Sequence, residues 1–445
     1  MKLIYGVKDK PKFSQVLVFA FQQLLAILAA TIAVPAIVGN GMSQSAALFG
    51  AGVGTIVYLL FTKFNSPVFL GSSFAFLGSM FAAFGGAVSM EAGYAGLVIG
   101  AVLAGLVYVI IALVIKAAGV EWINKLMPAV VIGPTVSIIG LSLAGNAVSD
   151  ITLGKVLDET GASVASPYLA LICGLVTLFT VMLCSVYGKK MVKLIPFIIG
   201  ILAGYVVAAI FTVIGMSTNN PALQIIDFSV FSNMQLFAIP EFTFVKAFEG
   251  FSAIDGQYLA TVAVAYVPVA FVVFAEHIAD HKNLSSIIDH DLLKDPGLDH
   301  TLLGDGIGSM AGAFFGGCPN TTYGESVGCV AITGNASIVT IITTAIMCMV
   351  ISFFGPFVTF LASIPNCVMG GVCITLYGFI AVSGLKMIQK VDLGDNRNLF
   401  VVAVILICGI GGLTLNFGQV TLTEVATALI LGIIANQLLK EKNKD

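Results

Sequence analysis

Charge is what this sequence has least of. Only 10% of its 445 residues are Asp, Glu, Lys or Arg, while 58% are hydrophobic, and the mean hydropathy is +1.04. A soluble protein of this length could not cover its surface with so few charges. The formal net charge is −3, and no basic cluster offers a face for nucleic acid. Eight cysteines are present, but they form no CxxC pair and no Cys/His cluster with metal spacing. All of them lie in or beside apolar runs, where a small buried hydrophobe is the simple reading. Neither an HExxH nor a G-x-S-x-G motif is recognised and there is no sizeable polar domain, which argues against a membrane enzyme. No metal or cofactor is expected.

What the chain does have is long apolar runs. A hydrocarbon core about 30 Å thick needs about 20 apolar residues per helix. Fourteen candidate spans follow, which makes this an all-α polytopic membrane protein. The first seven are 13–39, 43–62, 66–85, 92–117, 123–146, 167–187 and 191–215; the second seven are 257–281, 299–316, 317–334, 337–360, 365–388, 397–416 and 421–439. The first run is too long for a signal-peptide core and lacks a clear cleavage site, so it reads as a membrane helix.

Of the 20 Lys and Arg residues, all but Lys155 and Lys246 fall on one side of this topology. The opposite side holds Asp150, Asp158, Glu159, Asp227, Glu241 and Glu249. The bias predicts cytoplasmic termini and a multi-pass protein of the cell membrane. Seven is odd, so two homologous halves, 1–215 and 257–445 around a linker at 216–256, would run in opposite directions. Inverted repeats are a mark of secondary transporters. The third span of each half is interrupted, as SPVFLGSSFAFLGS (Ser66 to Ser79) and CPNTTYGESVG (Cys318 to Gly328). Both pass through Pro, small polar residues, an aromatic and Gly. In lipid such breaks need their backbone groups satisfied internally, which two of them achieve by pairing as short strands. Each is followed by a half-helix whose N-terminus points inward, making a pocket rich in donors.

Acids inside spans are expensive and functional by default. Four are present: Glu276 and Asp280, which share a helix face at i, i+4, Asp305, and Glu325 in the broken span. No Lys or Arg lies in the spans to pair with them, and a carboxyl without a cation in a low-dielectric medium holds its proton more readily. That suits proton coupling, with Asp280 and Asp305 evenly balanced between coupling and scaffold. His277, His281, His290 and His300 fall at one span end and the loop after it, and read as a solvated cluster rather than a relay. Carboxylate acceptors facing backbone donors complement a small, neutral, planar solute with alternating N–H and C=O. A uracil ring fits, with Phe74 or Tyr323 against its faces. An anion carrier of the same architecture is the alternative, weakened by acids with no pocket Lys or Arg.

GSSFAF, the EH of AEHIADH, DLLKDPGLDH, FFGGCPNTTYGE and PNCVMGGVCITLYG resemble the uracil permease branch of the nucleobase–ascorbate transporter family, over nearly the whole chain. The resemblance implies fourteen spans in two inverted seven-span repeats. Spans 1–4 and 8–11 would form a core domain, spans 5–7 and 12–14 a gate domain, with short antiparallel strands in spans 3 and 10. It implies proton-coupled nucleobase import, and a homodimer. It implies that Glu276 and Glu325 hold the base, that Phe74 and Gly324 supply backbone contacts, and that Tyr323, Tyr377 and Ala30 line the pocket. The departures are Gln23, where a His is common, Ser326 for a signature Asn, Asp280 for a second His, and Gly334 for Arg. Asp280 and Asp305 are similar to the xanthine and urate members, while Glu325 is not. Uracil is therefore the first expectation and xanthine the second.

Overall fold

In a solvent with no hydrogen bonds to offer, an apolar run closes its own backbone as a helix. A computed structural model describes residues 3–119, 122, 128–158, 160–189, 191–232, 234–417 and 420–439. Lys2, Lys125, Lys190, Lys440, Lys442, Lys444 and Glu159, which carry part of the charge bias, lie outside the described residues, as does the opening of the fifth span at 123–127. The chain is mostly helical. Its first part runs α1 (Phe13–Val38), α2 (Gln44–Phe61), β1 (Leu70–Ser72), α3 (Leu77–Gly85), α4 (Met90–Ala118), α5 (Ala129–Ser142), α6 (Ala144–Asp150), α7 (Pro167–Tyr187), α8 (Met191–Leu194) and α9 (Pro196–Thr218). Its second part runs α10 (Thr243–Gly250), α11 (Gly256–Ile288), α12 (Leu298–Gly316), β2 (Asn320–Thr322), α13 (Gly324–Thr333), α14 (Ile338–Ile351), α15 (Gly355–Ser363), α16 (Asn366–Ile388), α17 (Asn396–Ile410), β3 (Leu415–Phe417), β4 (Val420–Leu422) and α18 (Glu424–Leu438). Local chemistry sets several starts. Ser43, Ser89 and Asp255 cap α2, α4 and α11 by accepting the N–H three residues on.

Among the described residues, eight helices, counting α5 and α6 as one, are long and apolar enough to cross a membrane. The other six sequence spans fall on shorter or less apolar elements: β1 with α3, α12, β2 with α13, α14 with α15, α17, and α18. The span expected at 257–281 continues to Ile288. The last span opens with the β3–β4 hairpin, Leu415 pairing with Leu422, where the sequence suggested helix to either side. Large apolar side chains such as Ile110, Phe179, Val206 and Ile407 stand exposed along the helices, which suits a lipid-facing surface.

Lipid offers helices little hydrophobic reason to associate, so close packing of small residues does the work. Asn320 covers Gly312 of α12, and α12 lies against α2 through glycines on both sides. Asn320 Nδ2 donates to the Gly50 carbonyl at 3.2 Å. The 216–256 segment is not a free loop. Phe242 packs on Phe49 of α2 (centroids 5.0 Å apart) and Phe244 stacks on Phe314 of α12 (4.9 Å).

A Cβ on Gly308 would meet the Gly54 carbonyl oxygen at 2.7 Å and Leu70 Cδ1 at 2.8 Å. Backbone cannot step aside as a flexible side chain can. Gly308→Val is therefore expected to cost about 1–3 kcal/mol, read as a lower melting temperature of the detergent-solubilised protein. An unchanged melting temperature would mean that this seam opens freely.

Candidate functional site

The two interrupted stretches meet. β1 and β2 pair antiparallel, with Leu70 opposite Thr322, Gly71 opposite Thr321 and Ser72 opposite Asn320. Ser73 N–H donates to the Pro319 carbonyl at 2.9 Å, extending the ladder past the strand ends. The outer edge of β1 is closed by a side chain, since Leu70 N–H donates to Thr55 Oγ1 at 2.9 Å. Tyr323 locks the crossing. Its N–H donates to the Phe69 carbonyl (3.2 Å) and its hydroxyl to the Ser72 carbonyl (2.9 Å). Its ring lies where a side chain on Gly71 would be, so position 71 admits only glycine without a shift.

After each strand a half-helix begins. A single 3-10 turn, Phe74–Phe76, leads into α3, and Gly324 opens α13 with Glu325 in its first turn. First-turn N–H groups have no acceptor within their own helix, so both ends present donors where the strands cross. A cavity of about 420 Å³ lies there. Its polar wall carries Phe74, Thr321, Thr322, Tyr323, Gly324, Glu325, Glu276 and Asp280. Its apolar wall comes from α5 (Val136, Ile139), α9 (Phe197) and α16 (Leu376, Phe379, Ile380). Glu276 and Gly324 are exposed and Asp280 and Glu325 half-buried, and the surface they show is the cavity wall.

The sequence-derived candidates thus separate. Glu276, Asp280, Glu325, Phe74, Tyr323 and Gly324 come together around one cavity. Ala30 of α1 and Tyr377 of α16 are buried and are not among its lining residues. Tyr377 stands behind Phe74, edge to face at 6.2 Å. Asp305 is also off the wall and fully buried, with Oδ2 2.7 Å from His277 Nδ1. Asp280 is tied to β2, its Oδ2 accepting the Thr322 hydroxyl at 2.8 Å. No ion pair among the described residues involves Glu276, Asp280 or Glu325.

Two features correct the sequence reading. His277 and His281 are not solvated; both are 0% exposed, and they stack with centroids 4.0 Å apart. α11 carries them inward because it runs a further two turns as a packed helix. His281 Nε2 meets the Tyr58 hydroxyl at 2.7 Å. The second feature is Gly324-Glu325-Ser326-Val327-Gly328, which has the G-x-S-x-G spacing of a serine nucleophile elbow and is easily passed over. Ser326 is no nucleophile here. It is 0% exposed, and its Oγ accepts from Gln23 Nε2 at 2.5 Å and from Phe69 N–H at 3.0 Å. The two departures Gln23 and Ser326 are therefore partners, a contact between positions 303 residues apart that no local pattern could reveal.

Ser326→Ala would strand two buried donors, the Gln23 amide and the Phe69 N–H, at about 1–3 kcal/mol each. A melting temperature lowered by several degrees is expected, with weaker solute binding because Phe69 precedes β1. Wild-type stability would mean that water or another group takes the place of the hydroxyl.

The comparisons with known proteins agree with this architecture. The family model described as "Permease family" matches residues 14–417. The uracil permease of Bacillus caldolyticus is 37% identical over 441 residues, covering 98% of this chain and 95% of the relative. That of Bacillus subtilis is 36% identical over 448 residues, covering 100% and 97%. Among solved structures, the transmembrane domain of the cyanobacterial bicarbonate transporter BicA superposes with a TM-score of 0.65 at 16% identity, covering 97% of this chain and all of that one. The murine anion transporter Slc26a9 gives 0.65 at 13% identity, covering 97% and 69%. At such identities the likeness is one of fold alone. The family match over most of the chain, with full-length relatives above 30% identity, shows that this chain is a multi-pass membrane protein of the permease family, a transporter rather than an enzyme.

Proposed function

We propose that this permease imports uracil together with protons across the cell membrane, by alternating access. The observation that carries the reading is the polar wall of the cavity. Carboxyls of Glu276 and Glu325 stand beside the opening turns of two half-helices, so acceptors and donors alternate over a small area. That pattern complements a neutral ring with N–H beside C=O. Glu276 and Glu325 accept the ring N–H groups, the backbone at Phe74 and Gly324 donates to its carbonyls, and Tyr323, held by Ser72, shapes the floor. Tyr377 and Ala30 back this wall. Asp280 is the acid best placed for coupling, since it reaches both the cavity and, through Thr322, the strand. The relatives named as uracil permeases support this solute. An anion carrier is disfavoured, because the lining holds three acids and no Lys, Arg or His.

The same reading takes the chain as two inverted seven-span repeats, with the core on one side of the cavity and the gate on the other. One feature supports relative motion of the two. Among the described residues the side-chain hydrogen bonds lie almost entirely within one of two groups, α1–α4 with α11–α15 or α5–α9 with α16–α18, an exception being Tyr205 of α9 with Ser363 of α15 at 2.8 Å. Bonds such as Gln23–Ser326, Tyr58–His281 and Ser79–Ala265 stay within the first group, and Ser137–Ala381 and Arg397–Asn436 within the second. The lysine-rich side, with both termini, faces the cytoplasm.

Uptake of labelled uracil into proteoliposomes under an inward proton gradient tests the reading, with excess xanthine as competitor. Gradient-driven uptake resistant to xanthine is expected; strong xanthine competition would put the purine reading first. Glu325→Gln replaces a charged acceptor and is expected to weaken uracil binding about 10- to 100-fold. Wild-type binding in that variant would remove Glu325 from the site. Asp280→Asn is expected to keep uracil exchange across the membrane while losing accumulation against a gradient. Equal loss of both would make Asp280 a solute contact.

A further inference from the structure

Four acids compete for the coupled proton, and the hydrogen bonds separate one of them from the rest. Asp305 Oδ2 lies 2.7 Å from His277 Nδ1, and His277 Nε2 lies 3.0 Å from Thr301 Oγ1. All three side chains are 0% exposed. The Thr301 hydroxyl donates to the Leu298 carbonyl at 3.2 Å. With its one hydrogen spent there, Thr301 accepts, and His277 Nε2 must carry the N–H. The 2.7 Å contact between Nδ1 and Oδ2 then also contains a proton, since two lone pairs would repel at that separation. Whether that proton sits on nitrogen or oxygen, the pair has the same proton count and no net charge. The alternative, Thr301 turning its hydrogen to Nε2, leaves a bare carboxylate in a fully buried place, with Oδ1 lacking a partner.

Thr321 of β2 lies beside Asp305 and also lines the cavity, but a threonine hydroxyl does not titrate; the titratable groups described around the pair are His281, Tyr58, Tyr108, Glu276 and Asp280. His281, stacked above, has Nδ1 2.8 Å from the His277 carbonyl, so that nitrogen donates, and its Nε2 lies 2.7 Å from the Tyr58 hydroxyl, which itself donates to Ser66 Oγ at 2.6 Å. Tyr108 of α4 is buried beside the same helices. Glu276 and Asp280, on α11 itself, open onto the cavity instead. Resting on the proton-coupled reading above, we infer that His277 and Asp305 form a closed, proton-retaining pair. The pair fixes α11 against α12, and with it the strand β2 that α12 packs on. His277 is a positioning residue, and the coupled proton belongs to the acids that line the cavity.

The test measures uracil uptake and protons moved per uracil, with the full-length protein in proteoliposomes. Wild-type accumulation is scored first and tests the parent reading alone. Asp305→Asn and His277→Gln are each expected to slow uptake roughly tenfold or more, as one partner is left unmatched. The double variant, whose two amides can bond each other, should recover much of that loss. Protons per uracil should stay at the wild-type value in every variant that transports. The pair is refuted if Asp305→Asn still exchanges uracil but moves no proton with it, or if the double variant is no better than the worse single one. A second measurement needs none of these variants to fold. A pH-sensitive dye follows the proton taken up when uracil binds to detergent-solubilised Glu276→Gln, Asp280→Asn and Glu325→Gln. At least one should lose that proton; retention in all three would return it to Asp305 and overturn the inference.

Discussion

Everything at the centre of this molecule depends on one constraint, that extended backbone cannot lie unpaired inside a membrane. A three-residue strand alone would leave its N–H and C=O groups bare, at several kcal/mol each. β1 and β2 remove that cost by pairing with each other, and Thr55 closes the outer edge of β1 with its hydroxyl. The pairing has a further consequence. Two antiparallel strands, each followed by a helix, send those helices in opposite directions from a shared origin. Their N-terminal ends then converge, and the donors that every helix leaves unused at its start are concentrated at one place. A continuous helix through either span would have hidden them all.

The acids are to be understood against that concentration of donors. Glu276, Asp280 and Glu325 face the same space as the helix starts, and no ion pair among the described residues involves them. Asp305, in the same packed core, is bonded to His277. Carboxyls of one chemical type thus take two roles, set by their neighbours. Those at the cavity wall meet a solute or a proton, and the one behind it ties helix to helix. The histidine that makes the difference precedes Asp280 by three residues, on the same helix.

How much of this was legible in the sequence depends on the range of the signal. The broken spans were legible because Pro319, Gly71 and the Asn320-Thr321-Thr322 run are local anomalies in apolar surroundings. Glu276 and Glu325 were legible because charge inside a span is rare. His277 was misread because it stands near a loop in sequence, and only the inward continuation of α11 to Ile288 buries it. Gln23 and Ser326 each looked like a departure from a pattern, and only their contact shows that one answers the other. The β3–β4 hairpin was missed for a different reason. Leu415–Phe417 and Val420–Leu422 are only three residues each, beside long apolar runs, and so short a pattern cannot tell a strand from the end of a helix.

The two walls of the cavity differ in kind, and that difference bears on how the proposed cycle could run. The polar wall is cross-linked. Strand pairing, Tyr323 to Ser72, Thr322 to Asp280 and Gln23 to Ser326 tie its elements together. The opposite wall is Val, Ile, Leu, Phe and Met from α5, α9 and α16, with one hydroxyl, that of Ser383. Apolar contacts are non-directional and individually weak, so one packing across this seam can be exchanged for another at small cost. Directional bonds would have to break first. A carrier that must hold its solute in fixed geometry while changing which side is open needs both properties. Here rigidity lies on the wall that would hold the solute, and freedom to slide lies on the other.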